Sequence, residues 1–202
     1  MSEVKKNIRD INAEKTRAVI LETAIQQFTV YGYVNTSLDS IAQLANTTKG
    51  AIYHHFQNKK ELFRAAYECL VQELMEDIVL STTQYQGNLY YVLRTLLLKS
   101  KEERFRRILF IDSRLVLGGV ECRLIDEKYG LNLFNQLIAT NMNPVLLNQV
   151  GIDVVSKLLF AVVIEAGSFI AHADNTNDTL IATEVVLVEM IKGLTVKQES
   201  LN

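Results

Sequence analysis

The sequence has a single proline, Pro144, and nine glycines in 202 residues. So few chain breakers argue against a many-turned β-sandwich and for a chain of helices. Cysteine is scarce as well. Cys69 and Cys122 stand alone, and with no secretory leader they argue against a disulfide-stapled secreted protein. The glycosylation-like triplets at Asn35, Asn46 and Asn177 carry no weight in that setting. The longest apolar stretch, Leu158 to Ala173, follows Lys157 and contains Glu165, which makes it short and charged for a bilayer span. No His-Glu-x-x-His, Cys-x-x-Cys, Gly-x-Ser-x-Gly elbow or phosphate-binding glycine loop occurs. A catalytic centre, a metal site and a cofactor are therefore not expected. The expectation is a reduced, cytoplasmic protein with no membrane segment.

What is present is a soluble balance, 49% hydrophobic and 22% charged, with material for one generous domain or a small module on a larger one. The formal charge of −2 hides a division. Residues 1–64 carry nine Lys and Arg against six Asp and Glu, whereas the rest carry twelve against seventeen. A basic head on an acidic body suits a polyanion-binding module joined to a different activity.

Residues 1–12 mix charges without apolar periodicity and read as a disordered tail. From Ala13, the residues Ile20, Leu21, Ala24, Ile25 and Phe28 recur at helical spacing, and the helix stops at Tyr31-Gly32. After a loop at 33–36, Thr36 or Ser37 caps a second, brief helix with Leu38, Ile41, Ala42 and Ala45 on its apolar face. Asn46 tolerates the left-handed conformation of a tight turn. Thr47 or Thr48 then caps a third helix reaching Phe56, and a long fourth helix opens at Lys59. This is the outline of a helix-turn-helix. Ile52 and Phe56 lie one turn apart and face the core, leaving Lys49, Gly50, Tyr53 and His54 outward. A cation, a bare backbone patch, a phenol and an imidazole suit a helix laid in a DNA groove. Adjacent His54 and His55 diverge by about 100° on a helix and make a poor chelate pair.

The runs Thr36-Ser37-Leu38-Asp39-Ser40-Ile41-Ala42 and Thr48-Lys49-Gly50-Ala51-Ile52-Tyr53-His54-His55-Phe56, continuing through Lys60-Glu61-Leu62-Phe63, resemble the DNA-binding segment of the TetR family of bacterial repressors. The first helix, Lys15-Thr16-Arg17 to Phe28 and Gly32-Tyr33, is similar too, and together they cover about residues 13–68. One departure is Asn46, where the family usually has glycine. The resemblance implies an all-α chain. An N-terminal three-helix DNA-binding domain at 13–58 is joined by the long helix to an effector-binding and dimerisation domain at 59–202. It implies a DNA-binding set of Thr36, Ser37, Thr47, Thr48, Lys49, Gly50, Tyr53, His54 and Lys59, the last of these at a phosphate.

In the body, Ser81 to Asn88 reads as a polar loop, followed by helices near 89–99, 102–117, 120–141, 152–173 and 177–193. Breaks fall at Gly118-Gly119, Asn143-Pro144 and Asp174-Asn175. The last two helices are apolar almost all round and must be buried on several sides. The resemblance implies that they pair with their mates as a four-helix bundle in a homodimer. Asp112 to Gly118 and Asp126 to Leu131 loosely resemble a subgroup of the family and name no ligand.

The candidate effector pocket comprises Tyr67, Phe110, Arg114, Phe134, Glu165 and Phe169. Glu165, read as buried in an apolar helix, needs a partner. That partner is an Arg or backbone donor, the dimer mate, or a ligand, and Arg114 carries the complementary ambiguity. The expected function is a repressor of nucleoid DNA, released from a palindromic operator by a small molecule. The alternative is a DNA-bound factor whose body binds a protein instead of a metabolite.

Overall fold

The computed structural model describes residues 8–195, and among these no strand forms. Met142 and Thr195 make one isolated antiparallel bridge. The helices are α1 (Ile8–Asn35), α2 (Leu38–Leu44), α3 (Lys49–His55), α4 (Lys59–Gln84), α5 (Leu89–Lys99), α6 (Glu103–Phe105), α7 (Ser113–Val116), α8 (Gly119–Asn141), α9 (Pro144–Val150), α10 (Ile152–His172) and α11 (Thr176–Leu194). A π-helical stretch, Arg106–Asp112, joins α6 to α7. The chain divides into two compact units, Met1–Cys69 and Leu70–Asn202.

The first unit holds α1, α2, α3 and the start of α4. Its core is built from Ile20, Phe28, Ile41, Ile52, Phe56 and Phe63, all nearly or fully buried. The rings of Phe28 and Phe63 meet edge to face at 5.2 Å, and Tyr33 meets Phe63 at the same distance. The unit ends at Cys69 and not at the 58/59 break, because Leu62, Phe63, Ala66 and Tyr67 of α4 are buried. Helix α4 opens on a reciprocal cap. The Glu61 amide donates to Asn58 Oδ1 at 2.9 Å, while Glu61 Oε2 accepts from the Gln57 amide at 2.6 Å.

One expectation for this unit changes. Residues 8–12 of the tail expected over 1–12 belong to α1, and residues 1–7 lie outside the described residues. Asp10 sits in the first turn, where a carboxylate is favourable. The turn shows no apolar period because Ile11 and Asn12 are exposed. Further on, the helix breaks at Gly32 as expected, and a last short turn runs on to Asn35 beyond the kink. Gly32 takes φ 73° and ψ 170°, a conformation left to glycine.

The second unit packs the remaining helices around Leu74, Leu89, Leu97, Phe105, Ile108 and Ile138. Ion pairs tie α4 to the end of α5 and to α6. Lys99 bridges Asp77 at 2.8 Å and Glu102 at 3.0 Å, and Arg104 pairs with Glu73. Gly167 of α10 lies against Phe110, where a Cβ would come within 2.7 Å of the ring.

The break expected at Asn143-Pro144 separates α8 from α9, a helix not expected from the sequence. Pro144 occupies the first turn, where its missing amide proton is not needed, and Asn143 Oδ1 accepts from the Val145 amide at 2.9 Å. Helix α10 is long and apolar enough by composition to cross a membrane, contrary to the expectation that its run is too short. Half of it is buried within the unit.

Candidate nucleic-acid interface and cavity

Helix α3 is short, and its position follows from local chemistry. Thr48 Oγ1 accepts from the Ala51 amide at 3.1 Å and starts the helix. The turn before it passes through Asn46 at φ 50°, the left-handed conformation expected there. Ser37 caps α2 in the same way, accepting from the Ser40 amide at 3.0 Å. Ile52 and Phe56 are buried, and the Arg17 guanidinium covers the Phe56 ring at 4.9 Å.

The opposite face is open. Lys49, Gly50, Tyr53 and His54 are all exposed, with Tyr53 at 49%. At Gly50 a Cβ would meet nothing nearer than Thr48 Oγ1 at 3.7 Å, so close backbone approach there is free of steric demand. Ser37 and Thr48 are exposed and Thr47 is half-buried, so these cap and turn residues border the same face. Three donors and a helix flank thus converge on one side, a pattern fit for phosphate oxygens and base edges.

Three residues behave differently from the expectation of a simple basic face. Thr36 is buried, and its hydroxyl donates to the Gly32 carbonyl at 2.8 Å and the Gln27 carbonyl at 3.1 Å. It fastens the kinked end of α1 and is withdrawn from the open surface. Lys59 is half-buried, with Nζ 3.3 Å from the Val34 carbonyl and 4.3 Å from the Tyr33 ring centroid. Burial holds its pKa below the ordinary lysine value. Lys49 donates to Asp39 Oδ2 at 2.8 Å, and this bond, followed by the carboxylate's charge, raises its pKa. The sequence places Asp39 at the positive end of α2, where a carboxylate is favoured, and the structure adds its pairing with Lys49. His55 is half-buried beside His54, with ring centroids 5.2 Å apart.

The six candidate pocket residues do not form one site. Tyr67 is buried in the first unit. In the second unit, the cavity is walled by Met75 and Ile78 of α4 and Val92, Leu93 and Leu96 of α5. Gly130, Leu133, Phe134 and Leu137 of α8 and Phe160 and Val163 of α10 complete it. Its volume is about 20 Å³, room for a water-sized body. Of the six candidates only Phe134 lines it. Phe110 is buried against Gly167 instead.

Arg114 and Glu165 pair with each other at 2.8 Å, their side chains 51% and 65% exposed. Phe169 is 64% exposed. The expectation of buried anchors at Arg114 and Glu165 and a cavity wall at Phe169 is therefore corrected. An all-round apolar helix suggests complete burial, whereas α10 buries one side and leaves Val154, Leu158, Glu165 and Phe169 on the other.

A family model described as bacterial regulatory proteins of the tetR family matches residues 20–66. A second, described as a tetracyclin repressor-like C-terminal domain, matches residues 89–194. The chain is 55% identical over 51 residues to the probable acrEF/envCD operon repressor of Escherichia coli (strain K12), covering 25% of this chain and 23% of that protein. It is 36% identical over 101 residues to the HTH-type transcriptional regulator AcrR of Shigella flexneri, covering 48% of this chain and 47% of that one. These matches span less than half the length of either curated relative. A crystal structure of a TetR-family transcriptional regulator from Pectobacterium atrosepticum is similar over 93% of this chain and 97% of its own, with a TM-score of 0.81 and 28% identity.

Proposed function

The chain belongs to the TetR family of bacterial regulatory proteins, and from that premise we propose that it is a transcriptional repressor working in the cytoplasm on nucleoid DNA. It binds an inverted-repeat operator as a homodimer and leaves it when a small molecule enters the second unit. The observation that carries this reading is the division of α3 into two faces. Ile52 is held in the core while Lys49, Gly50, Tyr53 and His54 stay open. A groove-reading helix needs that division. DNA binding is assigned to the first unit, which carries the start of α4 beyond the expected 13–58, and ligand binding and dimerisation to the second. Ser37, Thr47 and Thr48 join the open face of α3 at the phosphates, and Lys59, which gives one N–H to the Val34 carbonyl, has further donors for a phosphate.

The dimer reading is supported by apolar side chains left open on α10 and α11. Val154, Leu158 and Phe169 of α10, with Ile181, Val185 and Val186 of α11, are each more than half exposed. Large apolar side chains left this exposed on two adjacent helices are a feature of surfaces that meet a partner. A protein-binding body would use the same face, which we assign to a second copy. Release follows from a difference in ligand affinity between two arrangements of the helices, the only way a ligand can shift such an equilibrium. Helix α4 belongs to both units and is the covalent route for that shift. The reading is of a regulator and not of an enzyme.

The test is selection of duplexes from a random library by the full chain, followed by footprinting. Recovery of inverted repeats, with half-sites about one helical turn or a multiple of it apart, supports the reading. Recovery of no preferred duplex refutes it.

A further inference from the structure

One charge beside the open face of α3 opposes binding to a polyanion. Asp39, in the first turn of α2, has a side chain 70% exposed, and its Oδ2 accepts from Lys49 Nζ at 2.8 Å. Lys49 is the first residue of α3, and the N-terminal residues of a groove-reading helix are those that meet base edges. The carboxylate therefore stands at the reading end of α3, where it repels phosphates. Stability does not account for it. An exposed pair contributes little, and Ser37 already caps α2 by accepting from the Ser40 amide at 3.0 Å. Lys49 takes Oδ2, which leaves Oδ1 able to accept.

Chemistry limits what a carboxylate can read. It only accepts, and the base donors in the major groove are cytosine N4 and adenine N6. These two differ in their flanks. Beside adenine N6 stands N7, an acceptor that repels a carboxylate, and the paired thymine offers O4 next to a methyl group. Beside cytosine N4 stands a C–H, and the paired guanine offers two acceptors, O6 and N7. Two acceptors suit an ammonium placed next to the carboxylate. Lys49 Nζ holds that place and keeps two N–H donors after bonding Asp39. The next residue, Gly50, is exposed and has no side chain, so the backbone permits the close approach that a short aspartate needs.

We propose that Asp39, steadied by Lys49, is a specificity-determining residue that accepts from the N4 amino group of one cytosine in each operator half-site. The inference rests on the reading of the open face of α3 as the surface that meets DNA, and it names the base pair read there.

The full chain is tested on the duplex that selection recovers and on versions of it with each base pair replaced in turn. Binding is followed by fluorescence anisotropy and melting by circular dichroism. At one position in each half-site the unmodified chain should favour C·G over the other pairs by about tenfold, in proportion to one good base contact. N4-methylcytosine placed there keeps the base pair, removes the groove-facing N–H and should cost the same factor. Asp39→Asn should hold every duplex more tightly yet lose most of that preference, because an amide turns either an acceptor or a donor to the base. Asp39→Ala should lose the preference too and be indifferent to the added methyl group. Preferences at the other positions should stay.

A base profile shared by the unmodified chain and both variants overturns the proposal. So does an Asp39-dependent preference for any pair other than C·G, or indifference of the unmodified chain to N4-methylcytosine. Lower melting temperatures in the variants, with the profile unchanged, would confine Asp39 to supporting α2 and overturn it as well. Recovery of no preferred duplex refutes the DNA reading itself, whereas a preferred duplex whose profile ignores Asp39 refutes the cytosine contact alone.

Discussion

Lys49 Nζ, at the first residue of α3, donates to Asp39 Oδ2 of α2 at 2.8 Å, so the cation offered to DNA is already held by a carboxylate. Both side chains are well exposed. The pair raises the lysine's pKa above 10.5. Its stabilising contribution is present below that pH and is lost only as pH rises through the raised value, so the pair is intact at neutral pH.

Asp39→Asn should therefore strengthen binding to every duplex, selected or random, because it removes one negative charge and frees Lys49. Melting should change little, as exposed pairs contribute little. Anisotropy titrations with a selected and a random duplex check this, and weaker binding to both would reject it.

His55 gives the first unit a pH dependence of known sign. Burial, then the charges of His54 and Arg17, hold its pKa below the ordinary 6.5. Between the lowered value and 6.5 the unfolded chain binds more protons than the folded one, so stability is lost as pH falls through 6.5. Melting by circular dichroism at about pH 7.5 and about pH 5.5 should show the fall, and His55→Gln should reduce it. An equal fall in both chains would assign the effect elsewhere.

Much of this was legible in the sequence because local chemistry fixed it. Thr48 as a cap, Asn46 in the left-handed turn and Ile52 turned inward each depend on neighbours within a few residues. What was hidden depended on distant partners. Thr36 resembles a surface cap, yet it bonds to the Gln27 carbonyl nine residues back. Pro144 signals a stop and equally a start, and Asn143 decides between them. Glu165 in an apolar run suggests burial, but periodicity does not reveal which side of a helix its own chain leaves open.

Glu165 also supplies a prediction. Its pair with Arg114 is largely exposed, and such pairs contribute about 0–1 kcal/mol. Glu165→Gln should lower the melting temperature slightly and leave operator binding unchanged, as read by circular dichroism and anisotropy. A large loss of stability would show a buried role and contradict the exposed pair.

The dimer face is tested by charge. Leu158→Arg or Val185→Arg, both at exposed apolar positions of the last two helices, should give monomers in sedimentation and abolish operator binding together. A single head lacks the second half-site. Dimers that persist in both variants would place the interface elsewhere. The native chain sedimenting as a monomer at micromolar concentration would reject dimerisation itself.

The salt dependence of operator binding tests the central claim most directly. For the unmodified chain the logarithm of the association constant should fall steeply and linearly with the logarithm of salt concentration. Lys49→Ala should flatten that slope by about 0.9 for the phosphate contact it removes. Tyr53→Ala should weaken binding at every salt concentration without unfolding the first unit. Slopes and affinities unchanged in both variants would mean that the open face of α3 is not the surface that meets DNA.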